Sequence, residues 1–449
     1  MFKAHRREFL DRMQDGDIAL FQGAALATRN HDVEFPFRQQ SSFWYLTGCQ
    51  EPDAALMLAK GIEGVAEETL FVLPRDPARE TWVGRRMGPE GAVERLGFCA
   101  AFNHDEFQEE VEQALTKSKR VWCQLGFNDE LDAFILESLK SLRAKARLGL
   151  ALPESILDAG LIVHEMRVLK SPAELDFMRK AAAISAEAHL LAMSQCRPGM
   201  MEYELEALLH YTFRRHGCND SGWAYPSIVA GGDNANILHY NTNHMALQDG
   251  DMVLIDAGGE YQCYAADITR TFPINGTFRP AQRDIYEVVL AAQLAAMDVV
   301  RAGNEFHQAH DVSIATLCDG LHQLGVLKCG VEEAIATDAH KQWTIHNTSH
   351  YLGLDVHDCG VSRADGNSRL LEPGMVLTVE PGLYFPADDD SVAAELRGIG
   401  VRIEDDIHVT GGAPENLSAA TPKALADVEE ACRAERLAPP TLETAEIGS

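Results

Sequence analysis

Two aspartates, Asp256 and Asp267, stand near the two ends of one stretch of the chain, Met252–Phe272. The apolar run Met252–Ile255 leads directly into Asp256, and two glycines then separate it from the arm that carries Asp267. This pattern predicts a β-hairpin with the two aspartates opposed across the strands, their Cβ atoms roughly 5 Å apart. Like charges opposed in this way are destabilising, and a divalent cation between them would reverse the effect. A surface hairpin with both aspartates solvated is the alternative that this stretch leaves open.

Two further acids follow apolar strand candidates in the C-terminal third of the chain. Glu380 comes directly after the run Met375–Val379, as Asp256 does after its own run, and Glu404 lies in the segment Gly398–Ile407. Alternation along a strand places Arg402 and Glu404 on one face. The recurring feature is therefore a carboxylate at the end of, or within, an apolar strand.

A histidine-rich segment, 340–358, contains His346, His350 and His357 and lies between the second and third of these acids. If the four carboxylates converged, they would repel one another or take up protons, and two divalent cations would neutralise them. Oxygen ligands with one imidazole suit Mn²⁺, and Co²⁺ or Zn²⁺ less selectively. Bridging carboxylates hold two metal ions about 3.5–4 Å apart in two-metal hydrolases. We therefore expect two divalent metal ions per chain, with Mn²⁺ preferred.

The sequence resembles a known family at these same motifs. LIDAG and DITRTFP around the two aspartates, SHYLGLDVHD, TVEPGLY and GVRIEDDI are similar to the pita-bread metallopeptidases, most closely those of the aminopeptidase P type. FRQQSSFWYLTG and TWVGRRMG resemble the N-terminal segment of the same family. The resemblance implies an α/β N-terminal domain over 1–170. It also implies an α+β pita-bread catalytic domain over 171–449, ending in a peripheral tail.

The resemblance also implies roles for individual residues. It makes five of them metal ligands: Asp256, Asp267, His350, Glu380 and Glu404. It gives Glu380 a second role as proton carrier, and it makes His239, His346, His357 and Arg402 catalytic or substrate-binding residues. Tyr384 is expected to line the substrate site.

The activity implied by the resemblance is hydrolysis of the bond between an N-terminal residue and a following proline in a peptide. A prolidase, which cleaves the dipeptide, is similar at all five ligand positions and remains an alternative. A peptide-binding module without catalysis would be expected to lack ligands, and none is missing here. A creatinase-like amidinohydrolase is disfavoured for the same reason.

The elements that must position these residues can be outlined from the periodicity of apolar residues. In the first domain we predict strands at Ile18–Phe21, Phe43–Thr47, Ala55–Ala59, Leu70–Leu73, Trp82–Gly84 and Arg120–Gln124. Helices are predicted between them at Pro89–Leu96, Glu106–Lys117 and Glu130–Ala146. No phosphate-binding glycine fingerprint follows the first strand.

The second domain is predicted to begin with a helix from a capping box at Ser171–Glu174 to about Gln195. A second helix over Tyr203–His216 precedes the aspartate hairpin. Two more helices, Ala281–Ala302 and Gln308–Leu324, precede the strand-rich region Trp343–Ile407, which suggests an internal pseudo-repeat. A site formed where two such halves meet would be central and enclosed. From Ala413 onward we predict one helix, Leu425–Leu437, in a peripheral tail.

Composition narrows the classes of partner. The formal net charge of −29 argues against a nucleic-acid partner, since phosphate binding requires a basic surface. No apolar run is long enough to span a membrane, and the charged N-terminus lacks the apolar region of a signal peptide. Ten cysteines without a CxxC pair suggest reduced thiols in the cytoplasm. The resemblance further suggests a homo-oligomer, a dimer or a tetramer.

Overall fold

The computed structural model describes residues 1–145, 147, 152–219 and 222–434. The chain divides into two compact units, Met1–Leu169 and Lys170–Ser449. Among the described residues, no helix combines the length and the apolar composition that crossing a bilayer requires.

The first unit contains a mixed sheet flanked by helices. Its helices are α1 Phe2–Arg12, α2 Ser41–Thr47, α3 Pro77–Val83, α4 Gly88–Leu96, α5 Phe107–Leu115, α6 Asp129–Ala144 and α7 Gly160–Val168. Its strands are β1 Asp17–Gln22, β2 Thr28–Asn30, β3 Val33–Glu34, β4 Ala55–Ala59, β5 Glu68–Val72, β6 Ala100–Asn103, β7 Arg120–Trp122 and β8 Ser155–Leu157. The main sheet has the order β6-β5-β4-β1-β7-β8, and a buried apolar cluster includes Ile18, Phe71 and Ile135.

Two predicted strands of this unit are helical, so those predictions were wrong. Residues 43–47 belong to α2, which begins where the Gln40 side chain accepts a hydrogen bond from the Phe43 amide and ends at Gly48 in the left-handed region. All seven residues of α2 are buried, so its aromatic run shows no helical alternation. Trp82 lies in α3, which starts at Pro77 after an Asp76 side chain that caps the first turn.

The second unit packs helices against several small sheets. Its helices are α8 Pro172–Gln195, α9 Glu202–Arg215, α10 Pro280–Asp298, α11 Gln308–Gln323, α12 Val331–Ala336 and α13 Leu425–Arg433. Its strands are β9 Ile228–Gly231, β10 Met252–Asp256, β11 Glu260–Tyr261, β12 Tyr264–Ala265, β13 Thr269–Pro273, β14 Arg363–Ala364, β15 Asn367–Ser368, β16 Val376–Val379, β17 Gly382–Phe385, β18 Ile399–Arg402, β19 Asp405–His408 and β20 Glu415–Asn416.

One apolar core joins the helices of this unit to its strands. Side chains of α8, α9, α10 and α11 meet those of β10, β13, β17 and β18. The helix pair α8–α9 precedes the sheet β13-β10-β9, and the pair α10–α11 precedes the sheet β16-β19-β20. The predicted order of two helix pairs, each followed by strands, is therefore present. The capping box at Ser171 and Glu174 is present as well.

The register predicted for the aspartate hairpin was wrong. Asp256 pairs with Thr269, and not with Asp267, in the ladder between β10 and β13. The turn between β11 and β12 is formed by Gln262 and Cys263, both with positive φ, as in a type I′ hairpin turn. The centre of the hairpin is thus one residue later than the prediction. Asp267 consequently lies outside the ladder, between β12 and β13.

The C-terminal segment is not peripheral as far as the structure describes it. In α13, Val428 is fully buried and Cys432 is buried beside it, and both belong to the main apolar core of the unit. Ser418 and Thr421, which precede the helix, are also buried. The alanine-rich composition concealed this role, because small apolar residues make little difference in hydrophobicity between the buried and exposed faces of a helix. The part of the predicted helix beyond Ala434 lies outside the described residues.

We expect Val428→Asp to destabilise the second unit severely. The substitution places a carboxylate at a position with no exposed surface, and an unpaired buried charge is among the few changes that cost more than about 4 kcal/mol. Thermal unfolding followed by circular dichroism measures the loss. Glu430→Ala, on the exposed face of the same helix, is the control. A melting temperature equal to that of the unaltered chain in both variants would contradict the packing described here.

Candidate metal centre

A cavity of about 570 Å³ in the second unit brings the predicted site residues together. Its wall includes the five predicted metal ligands together with His239, His346, His357 and Arg402. Tyr384 lies just behind the wall, where its hydroxyl contacts His346 and Arg402. Apolar side chains such as Ile228, Leu238 and Val356 line the remainder.

Strand ends hold the acids in place. Asp256 is the last residue of β10, and Glu380 directly follows β16. The Glu380 amide donates to the Thr348 carbonyl at 2.9 Å. The Thr378 amide donates to the His350 carbonyl at 3.0 Å. The histidine segment is thus attached to the strand that presents Glu380. On the opposite side, the Glu404 amide donates to the carbonyl of Thr269 at 3.1 Å.

Among the described residues, Asp267, His350 and Glu404 form a group that could hold a metal ion. One ligand atom from each residue lies within 4.8 Å of the other two. The Nε2 atom of His350 is 3.5 Å from Oδ2 of Asp267 and 3.4 Å from Oε1 of Glu380. Residues from three separate parts of the chain therefore face the same small volume.

Tyr225 connects the two aspartates and was missed by the sequence analysis. Its hydroxyl lies 2.6 Å from Oδ1 of Asp256 and 2.5 Å from Oδ1 of Asp267. A hydroxyl has one proton to donate, so it satisfies one of these oxygens at a time. Nothing in the sequence around Tyr225 distinguishes it from a packing residue, because its role depends on the three-dimensional approach of two distant aspartates.

The carboxyl groups of the site are held where ionisation is unfavourable. Burial raises the pKa of Glu380 to about 7, with Asp267 acting in the same direction and His350 opposing it. Burial, together with the charges of Asp267 and Glu380, raises the pKa of Glu404 well above its usual range. Burial also raises the pKa of Asp267. These shifts have the direction expected when several carboxylates share one enclosed site.

The same negative charges favour the charged form of His350, whereas they disfavour the charged forms of the acids. Burial alone would lower the pKa of its imidazole, but the hydrogen bond to Asp267 and the charge of Glu380 outweigh burial and raise this pKa to about 9. In the metal-free protein, a protonated imidazole therefore supplies positive charge between two acids.

The donor set fits divalent metal ions. The site combines four carboxylates with one imidazole, and oxygen-rich sets of this kind suit Mn²⁺ and related ions. The raised carboxyl pKa values indicate that positive charge is needed at this place. Asp256, Asp267, His350, Glu380 and Glu404 are the residues that would hold the ions.

A chain of polar contacts leads from Asp256 to His346. The guanidinium of Arg402 donates to Oδ2 of Asp256 at 2.6 Å and to the Tyr384 hydroxyl at 3.0 Å. The Tyr384 hydroxyl lies 2.7 Å from Nε2 of His346. Burial lowers the pKa of His346 to about 4, and Arg402 acts in the same direction. A neutral His346 accepts from the Tyr384 hydroxyl at Nε2, and its Nδ1–H donates to the Asn347 carbonyl at 2.9 Å.

His239 and His357 occupy more exposed positions on the cavity wall. The ring of His357 lies edge-on to that of His350, with centroids 4.5 Å apart. Burial lowers the pKa of His357, and His350 acts in the same direction. A neutral imidazole at the cavity wall can donate or accept one hydrogen bond from a ligand.

We expect Tyr225→Phe to weaken Mn²⁺ binding about tenfold, the lower end of the range for losing a group that orients metal ligands. Without the hydroxyl, Asp256 and Asp267 lose their common hydrogen-bond donor and are less well fixed. Calorimetric titration of the metal-free protein measures the affinity. Tyr211→Phe, which alters an exposed tyrosine on α9, is the control. Unchanged affinity in the Tyr225 variant would show that the hydroxyl does not orient the ligands.

Comparison with known proteins assigns the class of this architecture. Residues 176–411 match the model of metallopeptidase family M24. Residues 2–122 match the model of the aminopeptidase P N-terminal domain.

Individual relatives agree with these matches over nearly the whole chain. Xaa-Pro aminopeptidase of Escherichia coli is 44% identical over 95% of this chain and 96% of its own length. The structure of Pseudomonas aeruginosa aminopeptidase PepP has a TM-score of 0.94 at 43% identity, covering 96% of this chain and 97% of that one. Zinc-substituted E. coli aminopeptidase P in complex with product gives a TM-score of 0.92 at 44% identity, with 96% and 97% covered. The chain therefore belongs to the aminopeptidase P members of metallopeptidase family M24, and its second unit has the pita-bread fold.

Proposed function

We propose that this protein is a metal-dependent aminopeptidase that removes the N-terminal residue from peptides with proline at the second position. The observation that carries the proposal is the convergence of four carboxylates and His350 in one cavity of a chain that is 44% identical to an Xaa-Pro aminopeptidase. Asp256, Asp267, His350, Glu380 and Glu404 are the proposed ligands of two divalent ions, preferably Mn²⁺, with Co²⁺ or Zn²⁺ as substitutes.

When bound, the ions would polarise the scissile carbonyl and lower the pKa of a water molecule towards neutrality. Glu380 is suited to accept the proton of the attacking water, because burial brings the pKa of its carboxyl to about 7. A general base or acid works best when its pKa lies near the working pH. The same carboxyl then delivers the proton to the leaving proline nitrogen, which becomes a secondary amine on cleavage.

The remaining residues are proposed to orient the peptide. Arg402 fixes Asp256 by its 2.6 Å contact, and Asp256 is one of the acids that could receive the free amine of the substrate. The Tyr384 hydroxyl donates to Nε2 of His346, which keeps this imidazole neutral, so that it adds no second positive charge beside Arg402. His239 and His357, on the cavity wall, are positioned to contact the peptide backbone.

We also propose that the protein works in a reducing compartment, the cytoplasm, as a homo-oligomer. No disulfide joins any of the ten cysteines, all of which lie in the described part of the chain. This supports the first statement, since disulfides persist in oxidising environments. The family resemblance supports the second, and sedimentation equilibrium of the purified chain tests whether a dimer or a tetramer forms.

A panel of three peptides tests the activity: Xaa-Pro-Yaa, Xaa-Ala-Yaa and the dipeptide Xaa-Pro. The protein is first stripped with a chelator and then assayed with and without added Mn²⁺. We expect cleavage of the first bond of Xaa-Pro-Yaa only after Mn²⁺ is restored. Cleavage confined to the dipeptide would identify a prolidase. Peptide binding with neither cleavage nor metal uptake would identify a binding module.

A further inference from the structure

The segment 416–423 starts in β20, which pairs with β19, the strand that begins directly after Glu404. No residue of this segment lines the cavity. The anchor of the segment is Asp405, the residue after Glu404, which is fully buried. Asp405 accepts hydrogen bonds from five side chains: Arg270 at 2.7 Å, Lys423 at 2.5 Å, Gln293 at 3.0 Å, Asn416 at 3.0 Å and Ser418 at 2.7 Å. We call these five donors and Asp405 the rear network.

The rear network ties the C-terminal segment to the backbone of the metal site. Besides its contact with Asp405, Arg270 donates to the carbonyl oxygens of Glu404 at 2.6 Å and Thr421 at 2.8 Å. Lys423 also donates to Oε1 of Gln293 on α10 at 2.7 Å. Arg270 is fully buried, and the Lys423 side chain is 18% exposed. Two cations therefore hold one buried aspartate directly behind a proposed ligand.

A neighbouring contact extends the same support to Asp267. The carboxylate of Asp406 accepts from the Asp267 amide at 3.1 Å, and the Asp406 amide donates to the Ser418 hydroxyl at 3.1 Å. The C-terminal segment thus reaches the backbone of two proposed ligands through two consecutive aspartates. Such supports matter because metal affinity depends on groups that fix the ligands as well as on the ligands.

We propose that Lys423 is a positioning residue of the metal centre, which acts through Asp405 to hold Glu404 where it can bind a metal ion. The inference rests on the proposed function, because Glu404 must be a ligand for it to apply. Without Lys423, Asp405 retains Arg270 as its one cationic partner within the rear network. The segment 416–423 keeps its contacts through Asn416 and Ser418, but its C-terminal end loses the charged link to Asp405.

For Lys423→Met, the loss of a positive charge and the loss of positioning predict opposite changes in the affinity for Mn²⁺. Removing a positive charge makes the surroundings more negative, which alone would strengthen the binding of a cation. Loss of positioning weakens binding instead, by about tenfold or more. The sign of the change in Mn²⁺ affinity therefore separates the two effects. A role limited to stability would change the melting temperature and leave the affinity of the folded protein unaltered.

The test is calorimetric titration of Mn²⁺ into the metal-free full chain carrying Lys423→Met, Lys423→Arg or Arg179→Ala. Arg179 contacts Glu415, the residue directly before the segment, at 2.8 Å, and it is not one of the donors to Asp405. We expect about tenfold weaker binding in Lys423→Met, binding within about threefold of the unaltered chain in Lys423→Arg, and none of this loss in Arg179→Ala. Equal or tighter binding in Lys423→Met, or an equal loss in Arg179→Ala, would overturn the proposal.

A measurement on the unaltered chain covers the case in which Lys423→Met does not fold. Coupling between two sites is reciprocal, so Mn²⁺ should slow hydrogen exchange of the amides in 416–423, and exchange that is insensitive to Mn²⁺ would count against the proposal. Failure of the unaltered chain to bind Mn²⁺ at all would instead refute the proposed function.

Discussion

Replacing Glu380 with glutamine is expected to lower kcat for an Xaa-Pro-Yaa peptide by about 10²–10⁴-fold, the contribution typical of general acid–base catalysis. Glutamine has nearly the same shape but cannot exchange a proton at neutral pH. Because the two side chains have nearly the same volume, the substitution leaves no cavity. Steady-state kinetics at saturating Mn²⁺ measure the loss, with circular dichroism to verify the fold.

The interpretation of that loss depends on metal content, because Glu380 is also a proposed ligand. If Glu380→Gln retains the metal ions and loses turnover, the carboxyl acts as a proton carrier. If the ions are lost as well, its role as a ligand is sufficient to explain the defect. Glu372→Gln, at a more exposed glutamate of the same unit, is the control. Near-normal turnover by Glu380→Gln would remove Glu380 from the mechanism.

A site residue could be predicted from sequence only where its neighbours in the chain made it unusual. Asp256 and Glu380 were recognisable because each ends an apolar strand, where a carboxylate is unusual. That their strands bring them into one cavity was implied by family resemblance and could not be derived from spacing. Tyr225 and Lys423 had no such signal, because each acts on residues that are distant in sequence.

Local backbone rules explain the errors of the fold prediction. The turn at Gln262 and Cys263 has positive φ at two residues that are not glycine, so sequence alone gave no reason to centre the hairpin there. Helix α2 is buried on every side, which removes the alternation that distinguishes a helix from a strand. The amphipathic helices α5 and α6 were predicted to within a few residues, since one face of each meets the core of the first unit.

The metal centre is expected to be a destabilising element of the fold until it binds metal. Burial and the negative charge of Asp256 raise the pKa of Asp267, which means that ionised Asp267 is less favourable in the folded protein than in the unfolded chain. Functional sites often retain such unfavourable arrangements at the expense of stability. The loss of stability should be measurable as a gain in melting temperature when the charge of Asp267 is removed in the metal-free protein.

Asp267→Asn is therefore expected to raise the melting temperature of the metal-free protein and to abolish metal-dependent activity. Removing the cost of burying this charge, together with its repulsion by Asp256, is expected to raise the melting temperature by about a few degrees for a unit of this size. With saturating Mn²⁺ the unaltered chain is expected to have the higher melting temperature. It gains the free energy of metal binding, whereas the variant has lost a ligand. Calorimetric unfolding of both proteins, with chelator and with Mn²⁺, measures the four melting temperatures.

The reversal distinguishes electrostatic strain from ordinary packing at Asp267. Asp388→Asn, at an exposed position of the same unit, controls for the general effect of removing one charge from a chain with a net charge of −29. If that control raises the melting temperature as much as Asp267→Asn, the gain comes from the net charge and not from the site. A lower melting temperature for metal-free Asp267→Asn would mean that the hydrogen bonds of Asp267 with His350 and Tyr225 outweigh the cost of burial and the repulsion by Asp256. In that case the acids of this cavity are stably held without metal, and the physical argument for a metal requirement fails.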